Sequence, residues 1–501
     1  MLTLLCGIPF AGALVAAAVP ARRRLVALAF ALLTLVMGIV ACAAADPEDH
    51  TWIAALGVHW ALGLDGLGRL MVLLTVGLVP LVMVAAWRDH GQRWFSWALA
   101  LEAFALVVFC AQDLFTFYVF FEATLIPAYF MIGSPGSGRA GAAGGPRRSQ
   151  AALKFLMYQL GGGLVLLGAV IGFFVVSARQ GSPSYLLGDL ADLDLSTTAE
   201  RWIFVAMFVA FAVKAPLFPL HTWLADTTEQ ASPATSVLLV CVLDKIGTFG
   251  MIRFCLGLVP DASRWATPVV VALALVSIVY GAVLAIGQDD LLRLIGLTSL
   301  SHFGFITLGI FALTTEGTSG AILYMVNHGV ATAALFLAAA FLIQRKGTAS
   351  ISAIRGMEKH TPVLAGLFLV AGLATAGLPG LSQFVSEILV IISAFDYHWF
   401  VGAIAVTAVV LAAIYILLTY QRTFTGPDEP AGGGSPADGS AAGSRAPARD
   451  LTRIEVGILA PLIVALVVFG FYPRPLFHAA NPLADQVVGN ESITYVWAKG
   501  K

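Results

Sequence analysis

Long runs of apolar residues, separated by short polar segments, dominate the pattern along this chain. A hydrocarbon core of roughly 30 Å needs about 20 helical residues, so each run of about that length predicts one membrane-spanning helix. Such helices satisfy their own backbone polar groups, which favours an all-α polytopic membrane protein. The pattern predicts fourteen spans, at about residues 2–20, 25–45, 67–86, 94–111, 113–133, 151–177, 201–230, 234–256, 266–286, 292–312, 319–343, 362–394, 399–421 and 454–472.

Two of these runs are too long for a single crossing, and each is interrupted near its middle. The seventh span contains AVKAPLFPLHTW, and the twelfth contains ATAGLPGLSQFVSE. Internal Pro and Gly predict broken helices, whose freed backbone groups are tolerated at membrane depth only where protein or a water cavity satisfies them. One broken helix in each half of a chain is typical of an ion or substrate path in a transporter.

The positions of the breaks predict an internal symmetry. Helices 4–8 and 9–13 form two five-helix units with the broken helix fourth in each, and an odd number of crossings makes the units inverted. The symmetry follows from this organisation, because the residues at the two breaks match weakly. The predicted divisions are helices 1–3 (1–92), the first repeat (93–258), the inverted repeat (259–424), a low-complexity linker (425–452), and helix 14 with a C-terminal tail (453–501).

Two loops and the N-terminus are predicted from composition alone. Residues 134–148 and 426–450 are rich in Gly, Ser, Pro and Ala and cannot bury a core, which predicts flexible linkers. The N-terminal sequence MLTLLCGIPFAGALVAAAVPARRR lacks a basic n-region, so we interpret it as a retained first helix and not a cleaved signal.

Composition narrows the function classes. The chain is 59% hydrophobic and 11% charged, which excludes an ordinary soluble domain, and its net charge of −1 gives no sign of nucleic acid or an acidic substrate. The loops after helices 1, 3, 5, 9, 11 and 13 hold 17 Lys and Arg residues, whereas the opposite loops and the tail hold 7. The positive-inside rule therefore predicts both termini outside the cytoplasm. Five cysteines without a CxxC pair are interpreted as small core residues.

Six ionisable side chains lie near the centres of predicted spans. A charge at the bilayer centre costs at least ~2.5–3.5 kcal/mol, so such residues are rare and usually functional. A single one is compatible with a satisfied structural polar group, but six together favour a function. They are Glu122, Lys214, Lys245, His302, His328 and Glu387.

Their chemistry predicts a proton relay along the membrane midplane. A carboxylate holds a nearby amine charged, so moving Glu122 or its proton is expected to release a proton from Lys214. Histidine exchanges protons near neutral pH with the least perturbation. Asp244, beside Lys245, and His221, past the first break, are secondary candidates, although His221 is also explained by packing.

The motifs around these residues resemble a known family. In order, KAPLFPLHTWLAD, SVLLVCVLDKIGTFG, LTSLSHFGF, NHG and GLPGLSQFVSE are similar to the antiporter-like membrane subunits of respiratory complex I, NADH–quinone oxidoreductase, over about residues 110–395. Glu387 follows the LPG break where the L and N types and sodium–proton antiporter subunits usually carry lysine. That acid, the DKIGTFG sequence and the end of the chain soon after helix 14 favour the type that carries an acid there.

The resemblance implies a role for each predicted residue. Protons would enter from the cytoplasm and leave on the opposite side, with quinone reduction elsewhere in the complex supplying the energy. The implied roles are a fifth-helix acid that tunes the pump lysine (Glu122), the pump lysine (Lys214), a linking lysine (Lys245), carriers towards the second half (His302 and His328) and the distal site of proton release (Glu387).

The resemblance also implies the surroundings of the chain. The expected place is a bacterial inner membrane, beside the antiporter-like L and N subunits and small membrane subunits. No cofactor is expected in this chain; FMN, Fe–S clusters, NADH and quinone would belong to partner subunits. The chain departs from the family pattern at residues 225–228, where Pro-Asp-Ala-His is usual, and at Asp244, an added acid. Because neighbours on a helix do not face each other, Asp244 is expected to point to another subunit or a second water path.

Three functions remain open at this point. The first is a proton-translocating subunit of a redox-driven complex, and the second is a subunit of a multi-subunit sodium–proton antiporter, which needs no dehydrogenase. The third is an inert scaffold that anchors peripheral redox subunits. Glu387 favours the first over the second, and the intramembrane charges argue against the third.

Overall fold

The structure, a computed structural model, describes residues 1–134, 144–181, 183–426 and 449–489. Most of the two predicted low-complexity linkers (134–148 and 425–452) and the end of the predicted tail (453–501) therefore lie outside the described residues. The described part is built of α-helices with one small β-hairpin, which confirms an all-α polytopic membrane protein.

The N-terminal part contains three long helices and the hairpin, which the apolar pattern did not predict. Glu48 of the hairpin accepts hydrogen bonds from the terminal amino group, from the Leu2 N–H and from Thr3, so the hairpin holds the start of the first helix. The elements are α1 (Leu2–Ala18), α2 (Arg23–Ala44), β1 (Glu48–Ile53), β2 (Val58–Leu62), antiparallel to β1, and α3 (Gly66–Ala85).

The region of the first predicted repeat contains the first broken helix and a span with two π-helical turns. The elements are α4 (Gln92–Cys110), α5 (Leu114–Ala123), α6 (Leu125–Gly133), α7 (Gly144–Gln180), α8 (Leu187–Ala191), α9 (Thr197–Lys214), α10 (Thr222–Gln230), α11 (Pro233–Leu238), a π-helical turn (Leu239–Leu243), α12 (Lys245–Gly250) and a second π-helical turn (Met251–Leu256).

The remaining helices include the second broken helix and a helix in the predicted C-terminal tail. They are α13 (Pro260–Ile286), α14 (Leu291–Phe311), α15 (Thr315–Lys346), α16 (Met357–His360), α17 (Pro362–Thr375), α18 (Ser382–Tyr397), α19 (Trp399–Phe424), α20 (Arg453–Phe471) and α21 (Arg474–Val488). The tail helix α21 packs against α3 and α15.

Among the described residues, 11 helical stretches are long and apolar enough to cross a membrane. The other three predicted spans correspond to α1, which is a shorter apolar helix, and to the two broken helices. The total of fourteen spans and the inverted repeat stay predictions. Three stretches each contain an apolar segment of 18 residues that is wholly buried by the rest of the chain. These central stretches are Pro233–Leu256, Leu291–Phe311 and Thr315–Lys346.

At the first break, other parts of the chain satisfy the freed backbone groups. The helix α9 ends at Lys214, and Pro216 and Pro219 carry no N–H, so neither can continue the helical ladder. The Phe218 N–H donates to Ser277 Oγ at 2.9 Å, and Trp223 Nε1 donates to the freed Val213 carbonyl at 3.1 Å. Trp223 therefore stabilises the break.

The second break is built in the same way. The helix α17 ends at Thr375, and Gly377 and Gly380 take positive φ angles of 72° and 92° before α18 begins at Ser382. Positive φ is inexpensive only for glycine, which explains these two residues. Gln383 Nε2 donates to the freed Thr375 carbonyl at 2.8 Å, as Trp223 does at the first break.

Candidate functional site

Lys214 lies at the first break, at the end of α9, and is completely buried. Its Nζ donates to Thr124 Oγ1 at 3.1 Å and lies 4.5 Å from the centre of the Phe121 ring. Glu122 lies next to Phe121 on α5 and interacts electrostatically with Lys214. The structure therefore brings the predicted acid and amine together, around a hydroxyl that sequence analysis did not identify.

The Glu122 carboxylate is held in a tight position. Gly163 of α7 packs against it so closely that a Cβ at Gly163 would overlap the carboxylate. Its Oε1 atom is buried and has no hydrogen-bond partner among the residues that the structure describes. An unpaired buried carboxylate oxygen is costly unless it is protonated or solvated, so this group is suited to exchange a proton.

Lys245 belongs to a second group of ionisable side chains and lies in the wholly buried eighth span. Its Nζ lies 2.6 Å from His328 Nδ1 and 4.4 Å from the centre of the Phe303 ring. The rings of His328 and His302 follow, with their centres 5.2 Å apart. Lys245, His328 and His302 therefore form one contiguous group contributed by α12, α15 and α14.

Hydrogen-bonding side chains extend this group to the second break. His302 Nε2 lies 3.2 Å from the Tyr415 hydroxyl, and His302 Nδ1 lies 3.4 Å from Gln383 Nε2. Gln383 Nε2 also lies 3.4 Å from the Tyr324 hydroxyl. Sequence analysis did not identify Tyr324, Gln383 or Tyr415 as site residues. Only Gln383 carried a signal, because it lies within the broken segment.

Glu387 lies one helical turn after Gln383 on α18 and is 4% exposed. It packs against the break itself, since a Cβ at Gly377 would overlap the carboxylate. It interacts electrostatically with the hydroxyls of Tyr324 and Tyr415. Both tyrosines also contact His302. Glu387 therefore lies at the far end of the series of polar contacts that begins at Lys245.

The two secondary candidates lie in different surroundings. Asp244 is completely buried inside this chain and interacts electrostatically with Lys214 and Lys245, so it does not lie on a surface that a partner subunit would cover. His221 packs among aromatic rings, with its centre 5.9 Å from that of Phe218 and 5.4 Å from that of Tyr280. These ring contacts favour a packing role for His221.

The turn that departs from the family pattern is fixed by ion pairs. Asp226 accepts from Lys154 Nζ at 2.7 Å and from Arg293 Nη1 at 2.8 Å, and Arg293 also donates to Glu229 at 2.8 Å. These contacts join α7, α10 and α14 at one end of the helices. Exposed pairs are individually weak, but Asp226 and Arg293 each take part in two of these pairs. The network therefore connects the second half of the broken helix to α7 and α14.

One more buried carboxylate, which sequence analysis did not single out, lies outside these contacts among the residues that the structure describes. Glu102 of α4 is 1% exposed, and both of its oxygens lack a hydrogen-bond partner within the described ranges. The signal was a single acid in the apolar run WALALEAFALVVFC. For metals, the described residues contain no group of three or more His, Cys, Asp or Glu that could hold an ion.

Comparison of the sequence with known proteins identifies the family of this chain. The sequence profile of the family described as NADH:quinone oxidoreductase/Mrp antiporter, TM, matches residues 111–412. NADH-quinone oxidoreductase subunit M of Mycobacterium tuberculosis is 42% identical, over 97% of this chain and 94% of that protein. The protein of the same name from Rhodobacter capsulatus is 34% identical, over 98% of this chain and 96% of its own length.

Solved structures share the fold over nearly the whole chain. A chain of respiratory complex I from Thermus thermophilus superposes with a TM-score of 0.86 at 34% identity, covering 98% of this chain and 99% of that one. A chain of the Mrp complex from Dietzia has a TM-score of 0.87 at 23% identity, over 99% and 98%, and indicates the fold alone. The predicted resemblance is confirmed: this chain belongs to the transmembrane family of NADH:quinone oxidoreductase and Mrp antiporter subunits.

Proposed function

We propose that this chain is the counterpart of NADH-quinone oxidoreductase subunit M, and that it translocates protons as a membrane subunit of complex I. The relatives of that name match almost the full length, and the Thermus thermophilus chain of similar fold belongs to a respiratory complex I. As such a subunit the chain takes part in a translocating NADH dehydrogenase while holding no redox centre itself. FMN, Fe–S clusters, NADH and quinone belong to partner subunits in this proposal.

The observation that carries the proposal is the contiguous group of Lys245, His328 and His302. Their atoms lie within the spacing of hydrogen bonds and ring contacts, and Gln383 and Tyr415 continue the contacts towards Glu387. A purely structural arrangement has no need to bury an amine, two imidazoles and an acid in one line, because each costs free energy to remove from water.

The residues act in sequence in this mechanism. A proton from the cytoplasm rests on Lys214, whose ammonium form is favoured while Glu122 is ionised. When Glu122 takes up a proton or moves away, Lys214 releases its own towards Lys245. His328 then accepts the proton from Lys245 and passes it to His302, and Glu387 receives it and releases it on the far side.

The proposal includes an orientation and neighbours. We place the chain in a bacterial inner membrane with both termini outside the cytoplasm, beside the antiporter-like L and N subunits and small membrane subunits. The contact between the amino terminus and Glu48 puts the N-terminus on the same face as the loop after helix 2. The uneven distribution of Lys and Arg assigns that face to the outside.

A second candidate is a subunit of a multi-subunit sodium–proton antiporter, since the description of the matching family includes the Mrp antiporter. Two observations favour complex I: the higher identity to its subunit M, and an acid, Glu387, at the second break. Affinity purification of the chain from its native membrane separates the two. Copurifying soluble subunits with flavin and Fe–S clusters support complex I, whereas a complex of membrane subunits without them contradicts it.

A further inference from the structure

Asp244 occupies an irregular point of the eighth span. It follows the π-helical turn Leu239–Leu243, and its N–H donates to the Leu239 carbonyl five residues earlier, at 2.9 Å. It immediately precedes Lys245 at the start of α12. Single π-helical turns inside α-helices occur frequently at functional sites, because they rotate the following side chains relative to a regular helix.

Asp244 and its neighbour Lys245 face different parts of the molecule. Gly247, one turn after Asp244, packs against the first break, where an added Cβ would lie 2.6 Å from the Phe211 carbonyl oxygen. Asp244 therefore lies on the side of the span that faces the end of α9 and Lys214. Lys245 is rotated by about 100° and faces His328 and Phe303.

The carboxylate of Asp244 is buried without a hydrogen bond. Its exposure is 0%, and neither oxygen has a partner in the part of the chain that the structure describes. An isolated buried carboxylate is strongly disfavoured unless opposite charges compensate it. Here two amines do so, since Asp244 interacts electrostatically with both Lys214 and Lys245. With Glu122, the site contains two carboxylates for two amines.

We propose that Asp244 is a proton-carrying bridge between Lys214 and Lys245. The Asp244 carboxylate accepts a proton from the Lys214 ammonium, which leaves a neutral amine and a carboxylic acid. The acid then donates the same proton to the neutral amine of Lys245, which restores the carboxylate and forms an ammonium. In this proposal a bridging water carries the proton between Asp244 and Lys245, because adjacent residues on a helix do not face each other.

This inference rests on the proposed function, and five chromosomal variants distinguish failure of the bridge from failure of that function. Asp244→Asn keeps the shape but cannot carry a proton, and Asp244→Glu keeps the proton chemistry. Asp244→Ser is a second variant without a titratable group. Glu102→Gln is the matched control, because Glu102 is another buried carboxyl without hydrogen bonds, and no charged neighbour influences it within the described ranges.

The measurement is NADH-driven proton uptake by inverted membrane vesicles, normalised to assembled complex, with Lys214→Ala as the reference. We expect Asp244→Asn and Asp244→Ser to lower the rate at least about tenfold, as for the loss of an acid–base group. We expect Asp244→Glu to restore most of the rate and Glu102→Gln to leave it unchanged.

Two outcomes would contradict the bridge, and a third would contradict the proposed function. Wild-type uptake by Asp244→Asn or Asp244→Ser, together with loss in Lys214→Ala, contradicts the bridge and leaves the proposed function standing. An equal loss in Glu102→Gln also contradicts the bridge, since the effect is then general to buried carboxyls. Wild-type uptake by Lys214→Ala contradicts the proposed function itself.

Discussion

The amine of Lys245 and the imidazole of His328 are in direct contact, with 2.6 Å between Nζ and Nδ1. An ammonium at Lys245 can donate only to an unprotonated Nδ1, so the pair holds one proton between two basic groups. Because Lys245 and His328 are both 0% exposed, bulk water does not compete for this contact. The contact links Lys245 to the two histidines that lead to the second break.

Replacing His328 with phenylalanine tests this link. The ring contacts to Phe303 and His302, at 5.3 Å and 5.2 Å between centres, are expected to survive, while the proton acceptor of Lys245 is lost. We expect NADH-driven proton uptake to fall about tenfold or more in assembled complex. His221→Phe is the control, because His221 packs on aromatic rings away from this contact. If His328→Phe retained as much proton uptake as His221→Phe and the wild type, His328 would have only a structural role.

Glu387 offers a test of proton release. Glutamine has the shape of glutamate but cannot carry a proton, whereas aspartate is shorter and can. We expect Glu387→Gln to impair proton uptake more than Glu387→Asp does, although aspartate leaves more space against Gly377. Both are measured in vesicles with the same content of assembled complex. Wild-type uptake by the glutamine variant would remove Glu387 from the path.

Substitutions at two glycines distinguish the effect of backbone strain from the effect of displacing the Glu387 carboxylate. Gly377 and Gly347 have nearly the same φ, 72° and 74°, but only Gly377 has the Glu387 carboxylate where a Cβ would be, and Gly347 has open space. We expect Gly347→Ala to lower thermal stability by about 1–2 kcal/mol without changing proton uptake. Gly377→Ala is expected to lower both. A Gly377→Ala complex with normal uptake would contradict the role of the close contact.

The loop between α3 and α4 is expected to loosen in acid. Burial lowers the pKa of His90 to about 4, and its Nε2 lies 2.6 Å from Ser232 Oγ at the start of α11. A histidine whose pKa is depressed in the folded state stabilises that state fully above its unfolded pKa of about 6.5. That contribution is lost as the pH falls from about 6.5 towards 4.

Hydrogen exchange of residues 86–94 measures this effect. We expect protection of the loop, corrected for the intrinsic rate, to fall between pH 6.5 and 4 in the wild-type chain. His90→Gln keeps a donor for Ser232 and does not titrate, so its corrected protection is expected to stay level. The same pH dependence in both chains would show that His90 does not cause it.

The sequence predicted the parts of the site that carry a local signal. Pro216, Pro219, Gly377 and Gly380 mark the two breaks, because proline removes an N–H and glycine permits positive φ whatever the rest of the fold does. A charged residue in an apolar run is equally visible, and this signal identifies the six ionisable candidates for the proposed relay. Glu102 carried this signal too.

The remaining parts depend on contacts between distant segments. Tyr415 reaches His302 across 113 positions of the chain, and a tyrosine in an apolar helix has the same pattern as a packing residue. Thr124 and Gln383 gain their importance only from the positions of Lys214 and His302. The π-helical turns and the hairpin of β1 and β2 had no period that distinguished them from neighbouring apolar segments.

The proposed relay requires that Lys214 pass protons to the contiguous group that begins at Lys245. The most direct measurement is NADH-driven proton uptake and quinone reduction by Lys214→Ala complex, with assembly verified on a native gel. We predict that the complex assembles and that both rates fall together by about tenfold or more, since the two processes are coupled. Full proton uptake by the assembled Lys214→Ala complex would contradict the relay.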